Sequence, residues 1–276
     1  MMENKPDFHV VSLSGGKDST GMLLMMLEKH MPIDLILFCD TGLEFPAMYE
    51  HLDKVEKYIG QPITHVRAKE DFEFYFLKAP VKRYHLTAFA AQFGMNHTGY
   101  GWAGPKMRWC TSRLKDTPRE QFLRPLREKY NLIEYVGIAA DETYRLARKN
   151  NQNPNHRHPL VDWGVTEKDA LEYCYAKGFD FGGLYKQFKR VSCWCCPLQS
   201  LSELRVLKKS YPALWAQLAE WDNKTWRNFR ADYSIAQLTS RFDFEEECIA
   251  QGKPIKGKQF FAELKDRFKE EGILQL

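Results

Sequence analysis

No uninterrupted apolar run in the sequence approaches the roughly eighteen residues that a membrane-spanning helix requires. The best run, Met22–Leu27, is closed by Glu28 and Lys29. The first ten residues are polar and mixed in charge, without the apolar centre of a signal peptide, so a cytoplasmic protein with no membrane partner is expected. There is no internal repeat and no low-complexity tract, which leaves no basis for a repeat array. A large charge of one sign is also missing: 40 basic against 36 acidic residues give +4, too little to identify a partner. With 44 % hydrophobic and 28 % charged residues, a mainly disordered chain is excluded. The 276 residues suit one large α/β domain with an appendage, or two modest domains.

What is present is unevenly placed. Between Lys78 and Lys149 stand 14 Lys/Arg and 6 Asp/Glu, a net +8 that the rest of the chain offsets with −4. Such a segment is a solvated face or a surface that meets phosphates. Strand patterns at Phe8–Leu13, Ile33–Phe38, Ile63–Val66 and Leu132–Ile138 alternate with helical patterns at Thr20–His30, Ala47–Ile59 and Arg119–Lys129. That alternation predicts α/β architecture with a parallel sheet. Residues 94–105, with four glycines and a proline, read as a mobile loop, and residues 149–159 as a second surface loop. From Leu201 the chain reads helical, with Trp215, Trp221 and Trp226 inside it. A last helix over Gln259–Leu276 puts Phe261, Leu264 and Phe268 on one face. The expected division is residues 1–200, a nucleotide-binding domain with a cysteine cluster, and residues 201–276, a helical C-terminal region.

Ser14-Gly15-Gly16-Lys17-Asp18-Ser19 joins the first strand to the first helix. The free amides and positive dipole end of a helix start attract phosphate. Gly15 and Gly16 allow a tight turn and close backbone approach, Ser14 and Ser19 can donate hydroxyl bonds, and Lys17 can neutralise phosphate charge. Asp18 can orient the loop or hold a magnesium ion. The spacing is not that of GxxxxGK[ST], which excludes a Walker-type loop. A Gly-Gly turn that merely caps a helix is the structural alternative. Asp40, Thr41 and Gly42 end the second strand, where open α/β sheets bind ligands. Arg113, Lys115, Arg145 and Arg148 supply cations for a nucleotide's phosphates, or are surface charges.

Seven cysteines are present, and Cys193, Cys195 and Cys196 are grouped. In a reducing compartment such a group points to metal binding or catalysis. With Cys110 they make four soft thiolates, enough for a tetrahedral zinc or a [4Fe–4S] cluster. Adjacent Cys195 and Cys196 lean toward iron, because one zinc would have to close a small strained ring. A cluster held by Cys110, Cys193 and Cys196, with Cys195 a free nucleophile or sulfur carrier, is the variant. Buried core cysteines are the structural alternative, and Cys39, Cys174 and Cys248 read as core.

In this order the motifs resemble a known group. SGGKDS after a first strand is similar to the pyrophosphate loop of the adenine-nucleotide α-hydrolase superfamily, the ATP pyrophosphatases. Phe38-Cys39-Asp40-Thr41-Gly42 with Glu44-Phe45-Pro46, Cys110 to Lys115, Gly137 through Glu142 to Arg145, His158 to Trp163, and Cys193 to Pro197 narrow the resemblance to the phosphoadenosine-phosphosulfate (PAPS) reductase family. Within it the chain resembles the iron–sulfur, DNA-phosphorothioation and phage-type branch, over roughly residues 8–200. The resemblance implies a Rossmann-like parallel sheet with a helical C-terminal extension. It also implies an adenine nucleotide (ATP, or PAPS or its desphospho analogue) with Mg2+, held at residues 14–19, Asp40, Thr41, Gly42, Arg113, Lys115, Glu142 and Arg145. Lys17, Asp18 and Cys195 are its candidate catalytic residues.

Reductases of this family carry a cysteine in an "ECGxH" tail, which the present C-terminal sequence does not show. The expected activity is therefore adenylation of an acceptor with release of pyrophosphate, followed by sulfur transfer. DNA or tRNA is the candidate acceptor, a cysteine desulfurase the candidate sulfur donor, and a homodimer the candidate assembly. A sulfonucleotide reductase and a non-catalytic nucleotide sensor are the alternatives.

Overall fold

The computed structural model describes residues 5–82, 96–147, 152–191 and 193–273. The chain divides into two compact units, one of Met1–Phe72 with Cys110–Cys193, the other of Glu73–Trp109 with Trp194–Leu276. The boundary drawn from sequence at residue 200 differs from this interleaved division.

The first unit contains β1 (Asp7–Ser12), α1 (Lys17–Glu28), β2 (Leu35–Cys39), α2 (Pro46–Ile59), β3 (Ile63–Val66), α3 (Thr117–Lys129), β4 (Asn131–Val136), β5 (His156–Arg157) and α4 (Glu167–Ala176). Its five strands run parallel in the order β3-β2-β1-β4-β5. This is the Rossmann-like α/β fold expected. β1 is central, and its fully buried Val10 packs with Leu37, Val66, Leu123 and Leu132. Local chemistry sets the helix ends. Pro46 opens α2 where no amide bond is lost, and Gly60 closes it at φ +66. Thr166 and Asp169 bond reciprocally as a capping box that starts α4. The chain leaves β1 toward β2 on one side and lies against β4 on the other. The sheet's switch point therefore falls at the carboxyl ends of β1 and β4.

The second unit is held by aromatic packing. Its described residues include a short antiparallel pair, Pro80–Lys82 with Asn96–Thr98, and the helices α5 (Leu201–Ser210), α6 (Pro212–Lys224), α7 (Ile235–Ala250) and α8 (Lys258–Glu270). Trp102 is buried against Phe76 and Phe229 at ring distances of 4.5 and 4.9 Å, and its indole donates to Asp222 at 2.7 Å. Residues 94 and 95 lie outside the described residues, but from Asn96 to Pro105 the expected mobile loop is anchored. A Cβ on Gly99 would collide with the Phe76 carbonyl oxygen, so this glycine serves close backbone packing.

Trp226 lies beyond the end of α6 and donates to the Gly99 carbonyl, while Trp215 and Trp221 are core. On α8 the buried face is Phe260, Leu264 and Phe268, and Phe261 is exposed. The i, i+4, i+8 spacing replaces the i, i+3, i+7 expected. No helix among the described residues is long and apolar enough to cross a membrane.

Candidate functional site

The Ser14–Ser19 loop fills the bend from β1 into α1. Its positive φ, +79°, belongs to Gly15, where a Cβ would also stand 2.8 Å from Met48 Sδ. Gly16 is extended at φ −72° and caps α1, so the turn rests on one glycine rather than two. Ser19 is buried, and its hydroxyl accepts the Ser14 amide (3.1 Å) and lies 3.1 Å from the Gly16 carbonyl oxygen, bracing the loop from inside. Thr20 Oγ1 bridges the Gly15 carbonyl and His51 Nε2 at 3.3 and 3.1 Å. Burial holds His51 neutral by pushing its pKa down to about 4. Gly137, just after β4, lets the loop come close: a Cβ there would lie 2.9 Å from Ser19 Cα.

Charge concentrates at this bend. The Lys17 ammonium donates to both Asp18 oxygens at 2.9 and 3.0 Å and to Glu167 Oε1 at 2.6 Å. Oxygens of Asp18, Glu142 and Glu167 lie within 4.8 Å of one another, the one such group of three ligands among the described residues. Burial, with Glu167 and Glu142 nearby, raises the Asp18 carboxyl above its ordinary value against the pull of Lys17. Burial alone would lower Lys17, but its bond to Glu167 and the charge of Asp18 outweigh that and raise it. Arg145, expected on phosphate, pairs with Glu142 at 2.5 Å. Arg148 lies outside the described residues.

Asp40 is fully consumed in shaping its turn. It accepts the Gly42 amide (2.9 Å), the Tyr49 hydroxyl (2.8 Å) and two Arg67 donors (2.8 and 2.6 Å), which together hold its carboxyl below the usual range despite burial. Thr41 Oγ1 lies 3.4 Å from Glu44 Oε1 and 3.8 Å from Cys193 Sγ. Cys193 Sγ is 3.6 Å from Glu44, and Lys115 Nζ is 3.7 Å from the same carboxylate. Arg113 is exposed.

All seven cysteines are thiols. Cys110 and Cys193 belong to the first unit, Cys195 and Cys196 to the second. Cys39 is half-buried, while Cys174 and Cys248 are core, as expected. Of the basic helix α3, Arg119 and Arg127 pair with the buried Glu134, leaving Arg124 exposed. Two of this helix's three arginines are therefore held in ion pairs.

Sequence reasoning missed Glu167, Arg67 and Tyr185, whose hydroxyl accepts the Lys17 amide at 2.8 Å, and gave Glu44 a place in a motif but no role. The T-x-x-D capping pattern at Thr166 was a readable signal for Glu167. Nothing local marks the others.

Fold and bend define a Rossmann-like α/β protein with a glycine loop at the sheet's switch point. The chain belongs to the phosphoadenosine phosphosulfate reductase domain family, whose model matches residues 8–199. It is 27 % identical over 230 residues to an uncharacterised protein of Methanocaldococcus jannaschii, covering 78 % of this chain and 40 % of that protein. It is 29 % identical over 259 residues to an uncharacterised 37.8 kDa protein of Escherichia phage 186, covering 78 % and 74 %. The chain thus spans less than half of the first relative and about three quarters of the second. Among solved structures it is similar to PAPS reductase from Candida auris (TM-score 0.42, 15 % identity, 67 % of this chain and 81 % of that one). It is also similar to the U34-tRNA thiolase NcsA of Methanococcus maripaludis with its [4Fe-4S] cluster (TM-score 0.36, 15 % identity, 80 % and 73 %).

Proposed function

We propose that this protein is an ATP pyrophosphatase-type enzyme that adenylates an acceptor and prepares it for sulfur transfer. The observation that carries the reading is the carboxylate trio Asp18, Glu142 and Glu167 beside the start of α1, with oxygens within 4.8 Å. Three hard oxygen donors suit magnesium, and the site already accommodates one cation, the Lys17 ammonium. A bare anionic sulfonucleotide would be repelled there, whereas a metal–triphosphate brings its own neutralisation. A magnesium ion held by the trio would screen the phosphate oxygens and ease departure of pyrophosphate. The loop amides orient the phosphates, and Lys17 exchanges its carboxylate partners for phosphate oxygens. An acceptor oxygen then attacks the α-phosphorus; the bond to the β-bridging oxygen breaks, and pyrophosphate leaves with the electron pair.

A [4Fe–4S] cluster rather than zinc is the proposed metal centre, with Cys110 and Cys193 among its ligands in the first unit. These cysteines fit such a centre, being thiols outside any disulfide. Such a cluster would supply a soft metal face for sulfur. Cys195 is buried at 3 % exposure, which argues against a solvent-facing sulfur carrier. DNA or tRNA is the proposed acceptor, with Arg113 and Arg124 as exposed cations for its backbone.

The test is AMP and pyrophosphate release from Mg–ATP with DNA or tRNA present. Asp18→Asn should reduce it at least about a hundredfold while the protein stays folded. Thioredoxin-dependent sulfite release from PAPS, without pyrophosphate release from ATP, would establish the reductase instead. ATP binding without turnover would leave a nucleotide sensor.

A further inference from the structure

Tyr185 stands in none of the sequence motifs, yet it reaches the start of α1. It lies on the single helical turn Leu184–Gln187, aimed by the preceding Phe181-Gly182-Gly183, all three at positive φ. Its ring packs edge-on against Phe181 at 4.9 Å, and Phe181 packs against His51 at 4.2 Å. His51 in turn supports Thr20 and the Gly15 carbonyl. The aromatic stack and the loop are therefore one braced assembly. The Lys17 amide donates to Tyr185 Oη at 2.8 Å, and a Cβ on Gly16 would stand 3.2 Å from the same oxygen. Among the described residues the hydroxyl accepts this bond and donates none. Accepting an N–H polarises a hydroxyl and strengthens it as a donor.

We propose that Tyr185 is a phosphate-binding residue: its hydroxyl, fixed by the Lys17 amide, donates its proton to a non-bridging oxygen of the pyrophosphate group seated on the Ser14–Ser19 loop. This rests on the reading that the loop binds nucleotide phosphates. No atom has to move far, because the donor already stands beside the helix start. The alternative is that Tyr185 only caps the Lys17 amide. That role would affect stability and leave anion affinity alone.

Titration calorimetry of the full chain with inorganic pyrophosphate and Mg2+ separates the two, with melting curves on the same samples. Wild type should bind, and Tyr185→Phe should bind at least about tenfold more weakly, since a hydrogen bond to a charged group is lost. Wild-type affinity in a folded Tyr185→Phe protein, even with a lowered melting temperature, overturns the proposal and leaves the cap. No binding by wild type overturns the phosphate reading itself, and this inference with it. Should Tyr185→Phe not fold, 3-fluorotyrosine at position 185 keeps the hydroxyl. Its fluorine resonance should then shift along the pyrophosphate titration, and an unmoved resonance contradicts the contact.

Discussion

Two groups of carboxylates in the first unit, one around a buried glutamate and one half-buried, differ in how their charge is balanced. Glu134, within β4, is 1 % exposed and faces Arg119 and Arg127, while His156 nearby is kept neutral, its pKa pushed down to about 4 by burial and Arg119. Arg127 also pairs with Glu120, so two arginines meet two carboxylates and the charge is balanced. At the loop, Asp18 and Glu167 share the Lys17 ammonium while Glu142 pairs with Arg145, so three carboxylates face two cations and one negative charge is left over. A balanced buried site holds a fold together, whereas the unbalanced one beside the helix start suits the cation proposed for it.

The comparison can be broken most sharply at Glu134. Glu134→Ala strands Arg119, while Arg127 keeps Glu120, and should destabilise the protein by about 3–5 kcal/mol in urea unfolding. ATP affinity of the protein that remains folded should change little. Glu167→Gln should do the opposite, altering stability by under about 1 kcal/mol while weakening Mg–ATP binding about tenfold or more. Equal stability losses in both variants would erase the distinction.

The next largest effect is on pH. His51 supports the loop, and its folded pKa of about 4 lies below the ordinary 6.5. Between these values the unfolded chain binds the proton and the folded protein does not. Stability should therefore be full above pH 6.5 and fall as pH drops toward 4, by about 3 kcal/mol at most. His156 adds in the same sense. His51→Gln keeps a hydrogen-bonding group for Thr20 and should flatten part of that slope; an unchanged slope would contradict a neutral His51. Smaller again, Gly137→Ala pushes a methyl group toward Ser19 backbone and should cost about 1–3 kcal/mol. Its ATP affinity should fall with it, because the backbone that yields is the loop's own.

Much of this was legible in the sequence because it is local. The β3 pattern at Ile63–Val66 matches the strand residue for residue, and α2 is found within one residue by its apolar period and Pro46. SGGKDS names its own place between strand and helix. What sequence could not show is pairing across long separations. Tyr185 meets an amide 168 residues away, and Lys17 meets a carboxylate 150 away. Asp40 looked like a ligand contact, yet Arg67 and Tyr49 take its oxygens. Nothing in the Arg119–Lys129 helical pattern announces that Arg119 and Arg127 pair with the strand residue Glu134. Likewise, Phe260 and Phe261 are adjacent aromatics, and only packing decides which one turns inward.

The central claim is that the carboxylate trio and the Ser14–Ser19 loop together take a metal–nucleotide. It is tested most directly by ATP titration calorimetry on the full chain with and without Mg2+. The account predicts binding that depends on the divalent ion and is weakened in Asp18→Asn and Glu167→Gln. ATP binding of equal strength in excess chelator, or no binding under either condition, would contradict it.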